Sequence, residues 1–585
     1  MSSLRTETTT LSQHPAGPSS SSGMLPRPEC DRSASTSESS EAWRYARPTA
    51  SKPGYDFTPY QLEQLRKIGP EPAGNSVSLL PQAISAVNYC RIEGFLQSLL
   101  PSVAHIWRLV DYHEQYLLWY HCCYHGPTFR SELQSLIRVQ NGQEVLDVAN
   151  LDLQWLALLF SIMTGSLTCT VEARIQDWGF SQLEVASLST QWYKAVIACL
   201  DHGEWTVQHD RRSVQAVATL TMSAHALGSS GELAVLLASA VKIAQNIALD
   251  RLEYDGEVEH VYGSSSAEQR HHALQRDLGR KLWSQLCVQD WMSAPSARNY
   301  MINPLHFTTT RPSSRDYLTM EFIPETFPTY ISYGNYLFDI AKLVVLHHDA
   351  TLQSITPFTK YQQVLEYDKR MRILATKEMP RYFHVVEPID SLWPEWVHWA
   401  RSSLTVSFSH KIIMIHRDFI KASFSDPAYT TTRVTCVAAA KTILSEASKA
   451  KSMNGPIIWI DKAFCILAAL VLCLDIRHRV ESEPELARHE SLVRECIEQL
   501  SLFKSSAIAV QGVKVLSESL ANSSRPSNHT RSVIQNIEGF EMGSSTLISN
   551  ESPARVERGE RRTVEIFPPQ SGLSSKALLE LFSLR

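Results

Sequence analysis

The chain has 585 residues, with 55 Lys and Arg against 60 Asp and Glu, so its formal charge is −5. At 44% hydrophobic, 20% charged and 9% aromatic residues, it has the composition of a globular protein with ample material for a core. This balance excludes a wholesale basic nucleic-acid binder and leaves room only for a local basic patch.

The N-terminus lacks a charged start followed by an apolar run, so no secretory leader is expected. Residues 1–54 carry SSSSG and SASTSESS with interspersed prolines, and their apolar residues are too sparse to offset the entropy of ordering. A disordered Ser/Pro-rich tail open to phosphorylation is expected there, followed by a linker over 55–85. From 86 to 520 the pattern is helix after helix. Val214, Val217, Leu220, Ala224 and Leu227 recur at helical spacing, as do Leu233, Leu236, Leu237, Ala240, Ala244, Ile247 and Ala248. GSSGE separates the two runs, with Ser229 and Glu232 spaced as a capping box, so a helical hairpin is predicted.

Further helix faces are marked by Leu274, Leu278, Leu282 and Leu286, then by Val434, Val437, Lys441 and Leu444, then by Val493, Cys496, Leu500 and Phe503. The longest apolar run, Ala463 to Leu474, is too short to span a bilayer and reads as a buried helix, so no membrane partner is expected. Strand-like alternation is rare and no regular repeat appears. The fold class is therefore all-α, a large irregular body of hairpins and bundles. From 521 to 585 the chain is polar and is expected to be mostly disordered. It closes on ALLELFSLR, which suits a short amphipathic helix docking on the body or a partner.

Chemistry-bearing patterns are few. The eleven cysteines form no disulfide framework, in keeping with a reducing compartment. His121, Cys122, Cys123 and His125 place four ligand types in five residues. However, adjacent residues on a helix diverge and no second ligand pair follows, so the cluster reads as a packed helix end rather than a zinc site. The pairs His271–His272 and His347–His348 read as partly exposed polar positions. SKAK at 448–451 reads as a chance match to a nucleophile motif, and no phosphate-cradling loop or nucleophile elbow occurs. Arg211–Arg212 and the RVERGERR stretch at 555–562 are the densest basic spots, diluted by acids and read as surface. Nothing here argues for an enzyme.

Taken in order, several segments resemble the middle homology region of fungal-specific transcription factors, the regulatory domain carried by binuclear zinc-cluster regulators. An aromatic-rich helix runs into a turn with His125, Pro127, Thr128 and Phe129. The small-residue helix LQWLALLFSIMTGSL and the predicted hairpin follow, the hairpin with Ala248 and Asp250 where the family usually has Gly and His. LQRDLGRKLWSQLCVQDW then places Arg280, Lys281, Trp283, Leu286 and Asp290 in the family's pattern, with Asp277 as its acid, although the family's Gly-Arg-Pro loop is missing. IHRDFI, with His416 and Arg417, and CVAAAKTI match later helices.

The resemblance covers roughly 90–520 and implies a nuclear transcription regulator that senses an effector. It names no catalytic, metal or DNA-binding residue, and its signature positions read as packing, caps and turns. Only Cys30 precedes Cys90, so the family's six-cysteine cluster does not form within this sequence. Cofactors are therefore expected to be none, with zinc only from a cluster upstream of these residues. DNA contact is expected to be indirect, through a homo- or heterodimer with a DNA-binding partner and through transcriptional co-regulators. The alternative reading is a non-nuclear helical interaction scaffold or small-molecule-binding protein.

Overall fold

The computed structural model describes residues 92–254, 266–316, 319, 321–450, 455–479, 483–504 and 506–521. The expected tail, the linker at 55–85, the RVERGERR stretch and ALLELFSLR lie outside the described residues. What is described is all-α, with one small hairpin added.

Ser102 caps α1 (Val103–Tyr112) by accepting the His105 N–H. The chain passes through a single π turn, His113–Leu117, into the one-turn α2 (Leu118–His121). Cys122 ends α2 in the left-handed region at φ 51°. α3 (Gly126–Leu136) opens on His125 with Pro127 in its first turn, where a missing N–H costs nothing. Strands β1 (Ile137–Gln140) and β2 (Gln143–Leu146) then pair antiparallel. Asn141 and Gly142 join them at φ 53° and 77°, the geometry a two-residue hairpin turn requires. The sequence reading expected no hairpin here. Its residues are mostly exposed, so burial leaves almost no alternation to read.

α4 (Leu153–Thr168) starts on Asp152, which accepts the Gln154 and Trp155 N–H groups, and is buried at every position through Leu167. It packs against α1, α6 (Gln182–His202) and α7 (Arg211–Thr219), while the short α5 (Glu172–Asp177) lies between α4 and α6 in sequence. A helix that is apolar all round belongs at the centre of a large core.

The predicted hairpin is present as α7 and α8 (Ser230–Asn246), with three corrections. The first helix ends at Thr219 and tightens to a 3-10 turn at Leu220–Met222, so Ala224 and Leu227 sit in turns. Ser229 makes no cap: its backbone is not extended and its side chain accepts no helix N–H. Ser229 and Glu232 instead face the Tyr193 phenol, whose pKa is raised mainly by burial. The second helix stops before Ile247, and Ala248 adopts φ 59°. A Cβ is disfavoured at that φ. A glycine, the usual residue here in the family these segments resemble, would not meet that cost.

The second half is a chain of neighbouring helices. α9 (Ala267–Ala297), α10 (Tyr330–Gln353) and α11 (Pro357–Ile373) each begin with a reciprocal cap, at Ser266/Gln269, Thr329/Ser332 and Thr356/Thr359. α12 (Trp396–Ile420), α13 (Thr430–Ala450), α14 (Trp459–Ile476), α15 (Pro484–Ser501) and α16 (Ala507–Ala521) follow. α14 buries everything from Cys465 to Ile476, as the apolar run predicted, and packs on α13, α15 and α16. Among the described residues, no helix is long and apolar enough to cross a membrane. On α13 the expected face is mostly met: Val437 and Leu444 are buried and Lys441 lies at the rim, but Val434 is 64% exposed, and Cys436, Ala440 and Ile443 share the buried side.

A buried ion hub ties α13, α14 and α15 together. Asp475 is fully buried, with Arg433 Nε at 2.8 Å, Arg479 Nε at 2.5 Å and His489 Nδ1 at 3.0 Å. His489 Nε2 in turn lies 3.1 Å from Glu485. Burial alone pushes the Asp475 pKa up, but His489, Arg479 and Arg433 together hold it well below the usual carboxylate range.

Candidate functional site

The His-Cys-rich turn and α9 meet. α2, α9 and α10 leave a narrow cleft of about 20 Å³ between them, room for about one water molecule, bounded by Pro312 on the loop that precedes α10. Trp119 and Tyr120 of α2 and Tyr330 of α10 give it aromatic walls. Lys281, Ser284 and Gln285 come from α9, at the three- and four-residue spacing that puts side chains on one helix face. Tyr330, Ile331, Gly334 and Asn335 do the same from α10. His121 and Cys122 close the end at which α2 stops.

The electrostatics of this cleft are muted. The Lys281 ammonium lies 3.1 Å from Asp277, both side chains are 4% exposed, and Asp277 also accepts the Ser313 N–H at 3.2 Å. Burial lowers His121 to about 3, and the Cys123 N–H donates to its Nδ1 at 3.2 Å. The ring is therefore neutral, with its proton on Nε2. Burial and then the Lys281 charge bring His125 down to about 4. Burial raises the Cys122 thiol, with Lys281 opposing, and burial pushes Tyr330 up to about 12. Asn335 donates to Pro312 O at 3.1 Å, while its Oδ1 has no partner among the described residues. The thiol and the imidazoles are shifted away from reactive ionisation, so these groups are not poised for nucleophilic chemistry.

Among the described residues, no three His, Cys, Asp or Glu side chains converge as metal ligands. Within the HCCYH turn the groups are engaged separately. His125 Nδ1 is 2.7 Å from Thr128 Oγ1, and the Gln215 amide donates to Cys123 O at 3.0 Å. Ser448 of the SKAK stretch donates to Glu495, and Lys449 pairs with Glu446.

The family-signature residues divide between this cleft and the packing around it. His125 and Lys281 lie together beside the cleft, close enough for the Lys281 charge to act on the imidazole. Pro127 starts α3, and Phe129 stacks on Trp155 with ring centroids 5.4 Å apart. Trp283 packs edge-on to Phe307. Arg280 and Asp290 do not pair with each other. Arg280 donates to the carbonyls of Leu252 and Glu253, and Asp290 accepts the N–H groups of Met301 and Ile302. His416 sits between Thr432 and Asp368, and Arg417 donates to Pro295 O at the end of α9. Arg211 and Arg212, expected at the surface, are half-buried staples: Arg211 bonds Gln275 and Arg212 pairs with Glu132.

The sequence reading did not find Gln285, Gly334, Asn335 or Tyr330. The i, i+4 pair Tyr330–Gly334 inside an aromatic helix was the available signal, but only the tertiary packing brings α10 against α2.

No family model matches the chain. Over 414 residues it is 23% identical to the agnestins biosynthesis cluster transcription factor AgnL11 of Paecilomyces divaricatus, a match covering 67% of this chain and 56% of that protein. The chain thus spans about half the length of the curated relative it matches, and it is similar to a fungal biosynthesis-cluster transcription factor.

Proposed function

We propose that this chain is a transcription regulator that works in the nucleus, with the helical body as its regulatory, effector-sensing part. The observation that carries the reading is the 414-residue similarity to a transcription factor of a fungal biosynthesis cluster. The structural roles of the signature residues support it, because Arg280, Asp290, His416 and Arg417 cap, staple and pack rather than assemble a reaction centre. No cofactor is needed by this body. DNA is reached through a dimer partner that binds it or through a zinc cluster upstream of these residues, and co-regulators dock on the body. An effector acts by binding one arrangement of the helices better than another.

The test is a deletion strain with a tagged copy restored. A regulator gives a tagged chain concentrated in the nucleus and a defined set of transcripts that change on deletion and recover on restoration. A chain that stays outside the nucleus, with unchanged transcripts across growth conditions, refutes the reading.

A further inference from the structure

Lys462 stands near the start of α14 and keeps only 7% of its exposure. Its ammonium lies over the ring of Phe503, 4.5 Å from the centroid, where the chain passes from α15 to α16. Among the described residues, that ammonium has no hydrogen-bond acceptor and no carboxylate within ion-pair distance. Lys281, another buried lysine, shows the usual arrangement, with Asp277 at 3.1 Å. A buried cation held only by a ring face is costly, so the neutral amine is favoured more than on an exposed lysine. Burial lowers the pKa of the Lys462 ammonium, with Cys169 and Asp461 opposing. A desolvated lysine has its lone pair free more of the time at neutral pH, and that lone pair attacks carbonyl carbon. Only a small reagent reaches a side chain this enclosed.

We propose that Lys462 is a carbonyl-reactive amine that forms a reversible imine with small, uncharged aldehydes. The Nζ lone pair bonds to the carbonyl carbon, and the carbonyl oxygen leaves as water with the two amine protons. A C=N bond thus replaces the C=O bond, and no oxidant or reductant is consumed. The inference goes beyond the regulator reading and does not rest on it.

The experiment treats the purified full-length chain with acetaldehyde at pH 7, traps imines with cyanoborohydride and maps the ethylated lysines by mass spectrometry. The exposed Lys194, Lys242 and Lys369 are the internal standards. Lys462 is ethylated at least about fivefold faster than each of them. The lead narrows as the pH rises towards 9, because the exposed amines then also lose protons. It vanishes in urea, where the burial is gone. Lys462→Met removes the fast adduct, and its unbranched stem and sulfur still pack on Phe503, so the variant melts no lower than the parent. Ethylation of Lys462 no faster than the exposed lysines would overturn the inference. So would a lead that is unchanged by pH or by urea, or a fast adduct that survives Lys462→Met. Reactivity is read on the pure chain, so its failure leaves the transcription reading to its own test, and the reverse also holds.

Discussion

Replacing Asp475 with asparagine removes the charge at the centre of the C-terminal helices while keeping the shape of the side chain. Asp475 is fully buried, and His489 beside it is fully buried too. The side chains of Arg433 and Arg479 keep 27% and 19% of their exposure. Breaking a buried ion pair from one side costs about 3–5 kcal/mol, because the remaining charge is left uncompensated. Both guanidiniums reach solvent, so the lower end applies, and Asp475→Asn destabilises by about 3 kcal/mol at pH 7.

The pH dependence follows from the sign of the shift. The folded carboxyl lies below its ordinary value of 3.8, so its contribution is complete above that value and is lost as the pH falls. Urea unfolding of parent and variant, followed by circular dichroism across pH 3 to 8, measures it. The gap is constant from pH 8 to about 5 and has shrunk by about 1 kcal/mol at pH 3. A gap under about 1 kcal/mol at pH 7, or one that is the same at pH 3 and pH 7, refutes the hub as a source of stability.

Other perturbations give equally definite outcomes. Burial pushes Asp461 up to about 6, with Lys462 opposing, so the fold prefers this acid protonated and loses stability as the pH rises from about 4 through 6. Asp461→Asn therefore stabilises by up to about 3 kcal/mol at pH 7.5 and has no effect below pH 4, as read by melting across pH. Asp290→Ala leaves the Met301 and Ile302 N–H groups without their acceptor. It costs about 2 kcal/mol in denaturant titration, with faster hydrogen exchange at those two amides. Ala248→Gly relieves the residue at φ 59° and raises stability by about 0.5–1 kcal/mol, whereas a fall in melting temperature would show the left-handed backbone is not strained.

The parts of the fold that were legible in the sequence are those written in local periodicity. The α14 run, the Val493–Leu500 face and the α7–α8 pair all follow from spacing, because each helix buries a stripe that the sequence repeats. What failed was decided by neighbours. On α13, Val437 and Leu444 are buried as the spacing predicts, yet Val434 of the same stripe is 64% exposed and Cys436, Ala440 and Ile443 join the buried side. Ser229 and Glu232 have capping-box spacing, yet Tyr193 lies where they turn. The Asn141–Gly142 turn was a readable signal, obscured by strands too short and too exposed to alternate. The site was half legible. The HCCYH turn and Lys281 stood out as residue types, but their approach to one another, with Gln285 and Asn335 beside them, depends on packing between segments more than 150 residues apart.

The central claim is that this chain works at genes, and chromatin immunoprecipitation of the tagged chain tests it most directly. The account predicts enrichment at the promoters of the genes whose transcripts change on deletion, whether DNA is reached through a partner or through an upstream cluster. No enrichment at those promoters, in cells where the deletion does alter the transcripts, would contradict it.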